Sequence, residues 1–345
     1  MRAVQWRFAT NADAPLSRLV MCEPDPARIW RYKASFHQIH KNPEFSVDVQ
    51  TNAAGLRDAE PAAADDRPVV LAVGDSFTFG WGVEQPERFG ERLEELLGAG
   101  KTNVVNAGYW MYTFDQQLLV MRDLVPKLRP RIVIQGLYPP HLLNLMSHSW
   151  IRDSKGQLKA VSNPGVRVAP DGALRFTNTY LENPPFRSHL VGEIFRVWFN
   201  WRLSREGMIE DLPLLDSKSS RFALAWRMFD ETIRETASFL KSQGVDYVAF
   251  GIPRDLTVND AEWTNSYRDA VKGRVLDLDQ PSRRMGDVVT QAGGTWIDLL
   301  PAFRAGYKSD LYFPKDVHWT PEGHRLAAET LSPLLRLRLS ALLPE

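Results

Sequence analysis

An apolar run that stops abruptly at Gly74-Asp75-Ser76 constrains the fold of this chain more than any other feature. The run covers residues 68–73, is rich in valine and is bounded by turn residues, which is typical of a buried strand in a parallel sheet. Ligands of open α/β sheets bind beyond the carboxyl ends of the strands, so we expect Ser76 where a crevice opens. This position makes Ser76 a candidate nucleophile, and the alternative is a serine that only caps a helix or lines a turn.

From this run onward, apolar and amphipathic segments alternate along the chain. The predicted strands are residues 69–73, 102–106, 131–137, 245–252 and 294–299. The predicted helices include residues 88–97, 113–128, 221–243, 265–276 and 281–292, and a last helix that Thr320 caps. This order predicts an α/β fold around a mostly parallel five-stranded sheet.

Two regions depart from the alternation. Residues 1–66 contain several prolines and predict an irregular N-terminal extension, with a short strand at 45–49, that packs on the main domain at 67–345. Residues 147–218 interrupt the main domain, and their turn signals predict a hairpin or two. An insertion at the carboxyl end of a strand lies on the crevice side of the sheet, so we predict that 147–218 form a cap.

Composition excludes several classes of protein. Lys+Arg and Asp+Glu both number 42, so no net charge attracts nucleic acid or an anionic membrane. Cys22 is the single cysteine and the histidines lack metal-site spacing, so we expect no disulfide, metal or cofactor. The N-terminus has no signal-peptide core and no run approaches about 20 apolar residues. As written, the protein is expected to be cytoplasmic, or periplasmic or extracytoplasmic if an export signal was removed.

A second chemical signal, Asp316 and His318, directly precedes the last predicted helix. A carboxylate that fixes a histidine tautomer, with that histidine facing a serine, is the standard means of activating a serine nucleophile. Strand-end loops converge at the carboxyl edge of a doubly wound sheet, where His318 can meet Ser76. Taken alone, His318 would also fit a buried structural histidine. The backbone N–H groups of Ser76 and Gly108 are candidate oxyanion donors, because both lie at strand-end turns.

These motifs resemble a known family. Gly74-Asp75-Ser76, Asn106-Ala107-Gly108 and Asp316-Val317-His318 look like blocks I, II and V of the SGNH (GDSL-type) hydrolase superfamily. The resemblance covers residues 52–339 apart from the insertion, and it implies a flavodoxin-like three-layer α/β/α sandwich. It also implies metal-free ester hydrolysis or acyl transfer, with Ser76 as nucleophile, His318 as general base, Asp316 as its orienting partner, and Ser76 and Gly108 as oxyanion donors.

Three further stretches refine the resemblance. The segment from Asn52 to Arg57, followed by the Gly-Asp-Ser stretch, resembles bacterial members associated with cell-surface carbohydrate, which implies a carbohydrate ester as substrate. The Asp-x-His spacing replaces the commoner Asp-x-x-His, and with Trp319 it resembles the Asp-x-His-Trp of alginate-acetylating members. The stretch from Gly136 to Asn144 lacks the asparagine of block III that supplies a third oxyanion donor. Either His141 or Asn144 replaces it, or the oxyanion hole has two donors.

Aromatic residues complete the list of candidates. Three of them follow predicted site turns and are expected to bind substrate, with packing against the sheet as the alternative: Trp81, Trp110 and Tyr138. The aromatic run Phe195, Trp198, Phe199 and Trp201 favours core packing, and its mixed charges give only weak support to membrane contact.

Three hypotheses for function follow. The favoured one is a serine-dependent hydrolase or acyltransferase acting on O-acyl esters of small molecules or carbohydrate. The second is a catalytically weakened relative that binds a glycan or a protein partner. The third is an unrelated flavodoxin-like protein whose Gly-Asp-Ser binds phosphate, although the Gly-Lys-Ser/Thr ending of a nucleotide loop is missing.

Overall fold

The computed structural model describes residues 20–60, 65–145, 149–152, 158–162, 166–168, 174–176, 223–259, 277–307, 310–314 and 316–342. Its strands are β1 (Cys22–Asp25), β2 (Ile29–Tyr32), β3 (His37–Lys41), β4 (Ser46–Gln50), β5 (Val69–Gly74), β6 (Asn103–Gly108), β7 (Ile132–Leu137), β8 (Ser149–Arg152), β9 (Leu158–Ser162), β10 (Val166–Val168), β11 (Leu174–Phe176), β12 (Asp246–Gly251) and β13 (Thr295–Asp298). Its helices are α1 (Ser76–Phe79), α2 (Phe89–Gly98), α3 (Phe114–Leu128), α4 (His141–Leu145), α5 (Ala223–Ser242), α6 (Asp255–Val258), α7 (Gln280–Gln291), α8 (Leu300–Ala305) and α9 (Pro321–Leu342).

A five-stranded sheet in the order β13-β12-β7-β5-β6 forms the centre of the fold. Each neighbouring pair in it is parallel, and β5 lies between β6 and β7. Almost every residue of β5 and β7 is buried, because helices cover both faces of the sheet. The prediction of a central parallel five-stranded sheet is confirmed, and each predicted strand overlaps an observed one.

Two apolar cores separate the sheet from its two helical layers. Leu71 and Val73 point into one core, with residues of α3, α5 and α7, whereas Val70 and Ala72 point into the other, with residues of α2, α8 and α9. This alternation along β5 is the two-residue period of a strand buried on both faces. The arrangement is the expected three-layer α/β/α sandwich. The predicted helix at 265–276 lies outside the described residues.

The N-terminal segment is more regular than its sequence predicts. β1 pairs with β2 and β3 pairs with β4, both antiparallel. The predicted strand at 45–49 is confirmed as β4, whereas the irregular structure predicted for residues 22–41 is wrong. Prolines and charged side chains interrupt the alternation in these strands and weaken their sequence signal. Aromatic stacking joins the first hairpin to the sheet: Tyr32 lies 4.8 Å from Tyr109, and Trp30 lies 4.7 Å from Tyr112, between ring centroids.

Two further hairpins lie where the turn signals of the insertion predict them. β8 pairs with β9 and β10 pairs with β11, both antiparallel, and strands of both hairpins contact the β1–β2 hairpin. The rest of the insertion, including the aromatic run from Phe195 to Trp201, lies outside the described residues. The cap and the domain boundaries therefore stay predictions. No helix in the described part of the chain is long and apolar enough to cross a membrane.

Side chains satisfy the outward N–H groups of the edge strand β6. The Val104 N–H donates to Glu94 at 2.8 Å, and the Asn106 N–H donates to Asp58 at 2.8 Å. The third outward N–H, that of Gly108, donates to the side chain of Asn106 at 3.0 Å. At the β6 edge of the sheet, side chains of the same chain therefore accept the three outward backbone N–H groups.

Candidate active site

Ser76 lies two residues beyond the carboxyl end of β5, as the first residue of the one-turn helix α1. The Asp75 carboxylate caps this helix and accepts a hydrogen bond from the Phe77 N–H at 2.9 Å. The helix ends at Gly80, whose φ of 80° is a left-handed conformation that favours glycine. This strand–cap–helix junction leaves Ser76 8% exposed at the carboxyl edge of the sheet.

Asp316 and His318 lie in a loop that is closed by its own backbone. Tyr312 and Trp319 form an antiparallel bridge, and the Phe313 N–H donates to the His318 carbonyl at 3.1 Å. Trp319 is fully buried and packs on Phe77, with ring centroids 5.0 Å apart. The Thr320 hydroxyl then accepts from the Gly323 N–H at 3.4 Å and caps α9, as predicted.

The three candidate catalytic side chains meet in this place. His318 Nε2 lies 2.6 Å from Ser76 Oγ, and its Nδ1 contacts Asp316 Oδ1. The same Asp316 oxygen accepts the backbone N–H of His318 at 3.1 Å. One carboxylate oxygen thus holds both the backbone and the ring of the histidine, which the Asp-x-His spacing permits within a single turn. Asp316 and His318 are 16% and 13% exposed, so the triad lies at the base of an opening to solvent.

Aromatic rings form the wall behind His318. Phe77 and Trp81 lie 4.8 Å and 5.9 Å from the imidazole, between ring centroids. Trp81 and Trp110 stack on each other at 6.2 Å and are only 1% and 7% exposed. The described residues therefore place both tryptophans inside the wall of the site, and sugar stacking on them stays a prediction. Tyr138 packs on the other side of Phe77 at 5.0 Å, and burial raises its pKa to about 12.

Asn106 and Gly108 fit against the backbone of α1. Asn106 Nδ2 donates to the Thr78 carbonyl at 2.6 Å. A Cβ on Gly108 would lie 2.1 Å from the backbone nitrogen of Phe79, so only glycine fits there. Because the Gly108 N–H donates to Asn106 Oδ1, an oxyanion would have to share or displace that bond. By contrast, the Ser76 N–H lies at the first position of a helix, where intrahelical geometry supplies no acceptor.

The two candidates for a third donor lie in α4, after β7. His141 Nε2 lies 2.9 Å from Asp75 Oδ2, so this ring nitrogen is directed at the carboxylate that caps α1. Asp75 is fully buried and the His141 side chain is 8% exposed. The sequence predicted His141 as a candidate oxyanion donor but not its pairing with Asp75, because nothing in the sequence shows that α4 turns back onto β5. Asn144 lies in the same helix, and only its backbone is described.

Within the described ranges, no group of three or more His, Cys, Asp or Glu side chains could hold a metal ion. Burial lowers the pKa of His324 well below its usual value, and burial raises the pKa of Cys22.

One known protein family matches part of this chain. Residues 218–345 match the model of a family described as "SGNH hydrolase-like domain, acetyltransferase AlgX". The matched segment includes Asp316 and His318 but not Ser76. No curated protein matches the sequence.

Several solved structures resemble this chain at low identity. A putative lipolytic protein of the G-D-S-L family from Desulfitobacterium hafniense is 12% identical, covers 78% of this chain and 99% of its own, and has a TM-score of 0.43. A lipase/acylhydrolase from Enterococcus faecalis is 12% identical, with 79% and 96% covered and a TM-score of 0.43. An acetylxylan esterase from Geobacillus stearothermophilus is 13% identical, with 79% and 96% covered and a TM-score of 0.42.

Proposed function

We propose that this protein is a serine-dependent hydrolase or acyltransferase that acts on O-acyl esters. The observation that supports it most directly is the position of His318, whose ring bridges Ser76 Oγ at 2.6 Å and the Asp316 carboxylate. A serine hydroxyl is a weak nucleophile, and a histidine in hydrogen-bond contact, itself oriented by a carboxylate, activates it. Asp316 and His318 lie 240 and 242 positions after Ser76 in the sequence, so the fold brings the three side chains together.

In the proposed first step, Ser76 Oγ attacks the carbonyl carbon of the ester while its proton passes to His318 Nε2. The carbonyl oxygen becomes an oxyanion, with the Ser76 N–H and, after release from Asn106, the Gly108 N–H as proposed donors. The ester C–O bond then breaks, and the leaving alcohol takes the proton from His318. Asp316 stays ionised throughout and holds the imidazolium in place.

The acyl group then resides on Ser76, and a second alcohol or water removes it. His318 deprotonates this acceptor, which attacks the acyl carbon. The bond between the acyl carbon and Ser76 Oγ then breaks, and His318 Nε2 returns the proton to Oγ. Water as acceptor gives hydrolysis, whereas a sugar hydroxyl gives transfer. The family description names an acetyltransferase, which supports acetyl as the acyl group. The proposal of a carbohydrate substrate or acceptor rests on the sequence resemblance of residues 52–57 and of Asp316 to Trp319.

A comparison of the wild type with Ser76→Ala tests the proposal. We expect the wild type to release nitrophenol from an aryl acetate and to be labelled by a fluorophosphonate, which traps an activated serine. Ser76→Ala should lose both, whereas Ser340→Ala, at an exposed serine on the last helix, should lose neither. Equal turnover and labelling by the wild type and Ser76→Ala would sink the proposal.

A second candidate function rests on the environment of His141. His141 Nε2 faces Asp75, so this nitrogen is not available to replace the third oxyanion donor that block III normally supplies. Loss of one donor typically costs about a hundredfold or more in rate. A weakened enzyme that binds a glycan through the same crevice is the function that this observation favours. Glycan binding by calorimetry, together with no fluorophosphonate labelling of the wild type, would select it.

A further inference from the structure

Arg57 lies buried beneath the loop that follows the nucleophile helix, with 1% of its surface exposed. Its guanidinium donates four hydrogen bonds to carbonyl oxygens of the backbone. Nη1 reaches Phe79 at 3.2 Å and Gly80 at 2.6 Å, and Nη2 reaches Val83 at 2.8 Å and Asp48 at 2.9 Å. Three of these carbonyls belong to the last residue of α1 and the loop after it.

Two successive peptide groups connect Arg57 with Ser76. The peptide between Phe79 and Gly80 accepts from Nη1 through its carbonyl and donates to the Ser76 carbonyl through its N–H, at 3.1 Å. The peptide between Gly80 and Trp81 makes the same pair of bonds, at 2.6 Å and 3.0 Å. Since hydrogen bonds in series polarise one another, the charge on Arg57 strengthens both bonds to Ser76.

Helix α1 needs such support because it is a single turn. A helix this short is unstable on its own, and its last carbonyls have no intrahelical donor. Asn106 binds the Thr78 carbonyl at 2.6 Å, and Arg57 binds the next two. The carboxyl end of a helix carries partial negative charge, so the guanidinium cation of Arg57 also stabilises α1 electrostatically. Side chains thus hold the end of the helix opposite Ser76.

The charges involved are costly to bury. Arg88, which is fully buried, donates to the backbone carbonyl of Arg57, so two guanidinium groups lie close together. Burial lowers the pKa of Arg57 to about 10 and that of Arg88 to about 9. Apolar side chains of similar volume often stabilise a buried site as well as ions do. The cost therefore favours a role in accurate placement of the loop.

The Asn-x-x-Gly-Leu-Arg stretch of the sequence is the turn that delivers Arg57. Asn52 Oδ1 accepts the N–H groups of Ala54 and Leu56, each at 3.0 Å. Gly55 has a φ of 77°, and a Cβ there would lie 2.7 Å from the Tyr32 carbonyl oxygen. We propose that Arg57 is a positioning residue for the nucleophile: through the peptides after α1 it fixes the backbone of Ser76. This inference rests on the proposed function of Ser76.

Arg57→Met tests the inference, with Arg28→Met as matched control. Arg28 is also a buried arginine of the N-terminal segment, but it pairs with Asp25 at 3.0 Å and touches neither α1 nor its loop. Time courses of fluorophosphonate labelling, well below the melting temperature, give a rate constant and an amplitude. Lost structure lowers the amplitude, whereas a misplaced nucleophile lowers the rate constant. We expect Arg57→Met to lower the rate constant about tenfold to a hundredfold, and Arg28→Met to leave it unchanged.

Arg57→Lys provides the second comparison, because lysine keeps the charge but not the planar fork that reaches several carbonyls. Its rate constant should lie between those of the wild type and Arg57→Met. If Arg57→Met does not fold, Arg57→Lys and Arg28→Lys decide, and a wild-type rate constant in Arg57→Lys overturns the inference. Equal losses in the Arg57 and Arg28 variants overturn it too. Equal labelling of wild type and Ser76→Ala refutes the proposed function and the inference with it, whereas labelling that needs Ser76 but not Arg57 refutes the inference alone.

Discussion

The described part of the chain contains two histidine–aspartate pairs near Ser76, and they differ in what the second ring nitrogen can do. In the pair of Asp316 and His318, the carboxylate contacts Nδ1, and Nε2 lies 2.6 Å from the serine hydroxyl. In the pair of Asp75 and His141, Nε2 itself faces the carboxylate, at 2.9 Å. The first pair is partly exposed at the opening, and the second is buried below the nucleophile helix.

This difference assigns different physical roles to similar residues. His318 can receive a proton from Ser76 because its Nε2 is directed at the hydroxyl. His141 gives Nε2 to Asp75, whose other oxygen caps α1 at the Phe77 N–H. His141 is therefore suited to holding the cap of the nucleophile helix. The four predictions below test this division, from the largest expected effect to the smallest.

Replacement of His318 should have the largest effect. His318→Gln removes the proposed general base, and we expect kcat/KM for an aryl acetate to fall about 10⁴-fold with little change in melting temperature. His37→Gln is the control, because His37 is a largely exposed histidine in β3 that pairs with Asp48. A residual activity near that of the wild type would mean that another group takes the serine proton.

Asp316→Asn should come next. An amide can hold the ring in the wrong tautomer and cannot stabilise the imidazolium, so we expect kcat to fall about 10²- to 10³-fold while KM changes little. Asp310→Asn is the control, because Asp310 is exposed in the same loop and contributes its backbone carbonyl to Thr320. If both variants lose the same activity, the effect belongs to the loop and not to the carboxylate.

His141→Phe should affect stability more than chemistry. It leaves one oxygen of the fully buried Asp75 carboxylate without its ring partner, so we expect the free energy of unfolding to fall by about 3 kcal/mol. We expect kcat to fall only about tenfold. Urea unfolding of His141→Phe, Asp75→Asn and the double variant measures the coupling between the two side chains. A loss of kcat as large as that of His318→Gln would erase the distinction between the pairs.

His324 offers the smallest test, because it is a buried histidine that packs on Trp319 beside the site. Its Nδ1 accepts the Phe89 N–H at 3.2 Å, and burial lowers its pKa well below the usual value. The folded protein therefore binds fewer protons than the unfolded chain below about pH 6.5, so stability is full above that pH and falls as the pH decreases. One such group changes the free energy of unfolding by at most about 1.4 kcal/mol per pH unit.

Urea unfolding between pH 7 and pH 5 measures this slope. His324→Gln keeps an acceptor for Phe89 but does not titrate in this range, so its stability should change less with pH than that of the wild type. Ser340→Ala, at an exposed serine that does not titrate in this range, should retain the full slope. An unchanged slope in His324→Gln would show that other groups cause the acid sensitivity.

The sequence predicted the sheet and the meeting of the triad residues for a common reason. Short apolar runs bounded by turn residues identify the strands, and the loops at the strand ends of a parallel sheet converge on one edge. Ser76 and His318 both lie at that edge, although 242 residues separate them. The short spacing between Asp316 and His318 also needed no long-range information, because one turn brings them together.

The remaining features depend on packing that local patterns do not record. The pairing of His141 with Asp75 requires β7 to lie beside β5 and α4 to turn back across it. The stretch from Asn52 to Arg57 gave a family resemblance in the sequence, but the destination of Arg57 is set by a loop more than 20 residues away. The strands β1–β3 were missed because contacts with other parts of the chain, such as Trp30 with Tyr112 in the loop after β6, stabilise them more than their own propensity does.

The occupied edge of β6 has a consequence for the behaviour of this protein at high concentration. An edge strand with free N–H groups can recruit a strand from another molecule and begin aggregation. Here Glu94, Asp58 and Asn106 already accept the three outward N–H groups of β6. An incoming strand would have to displace two carboxylates that fold back from the same chain. The edge nearest the nucleophile helix is thereby protected against intermolecular β-pairing.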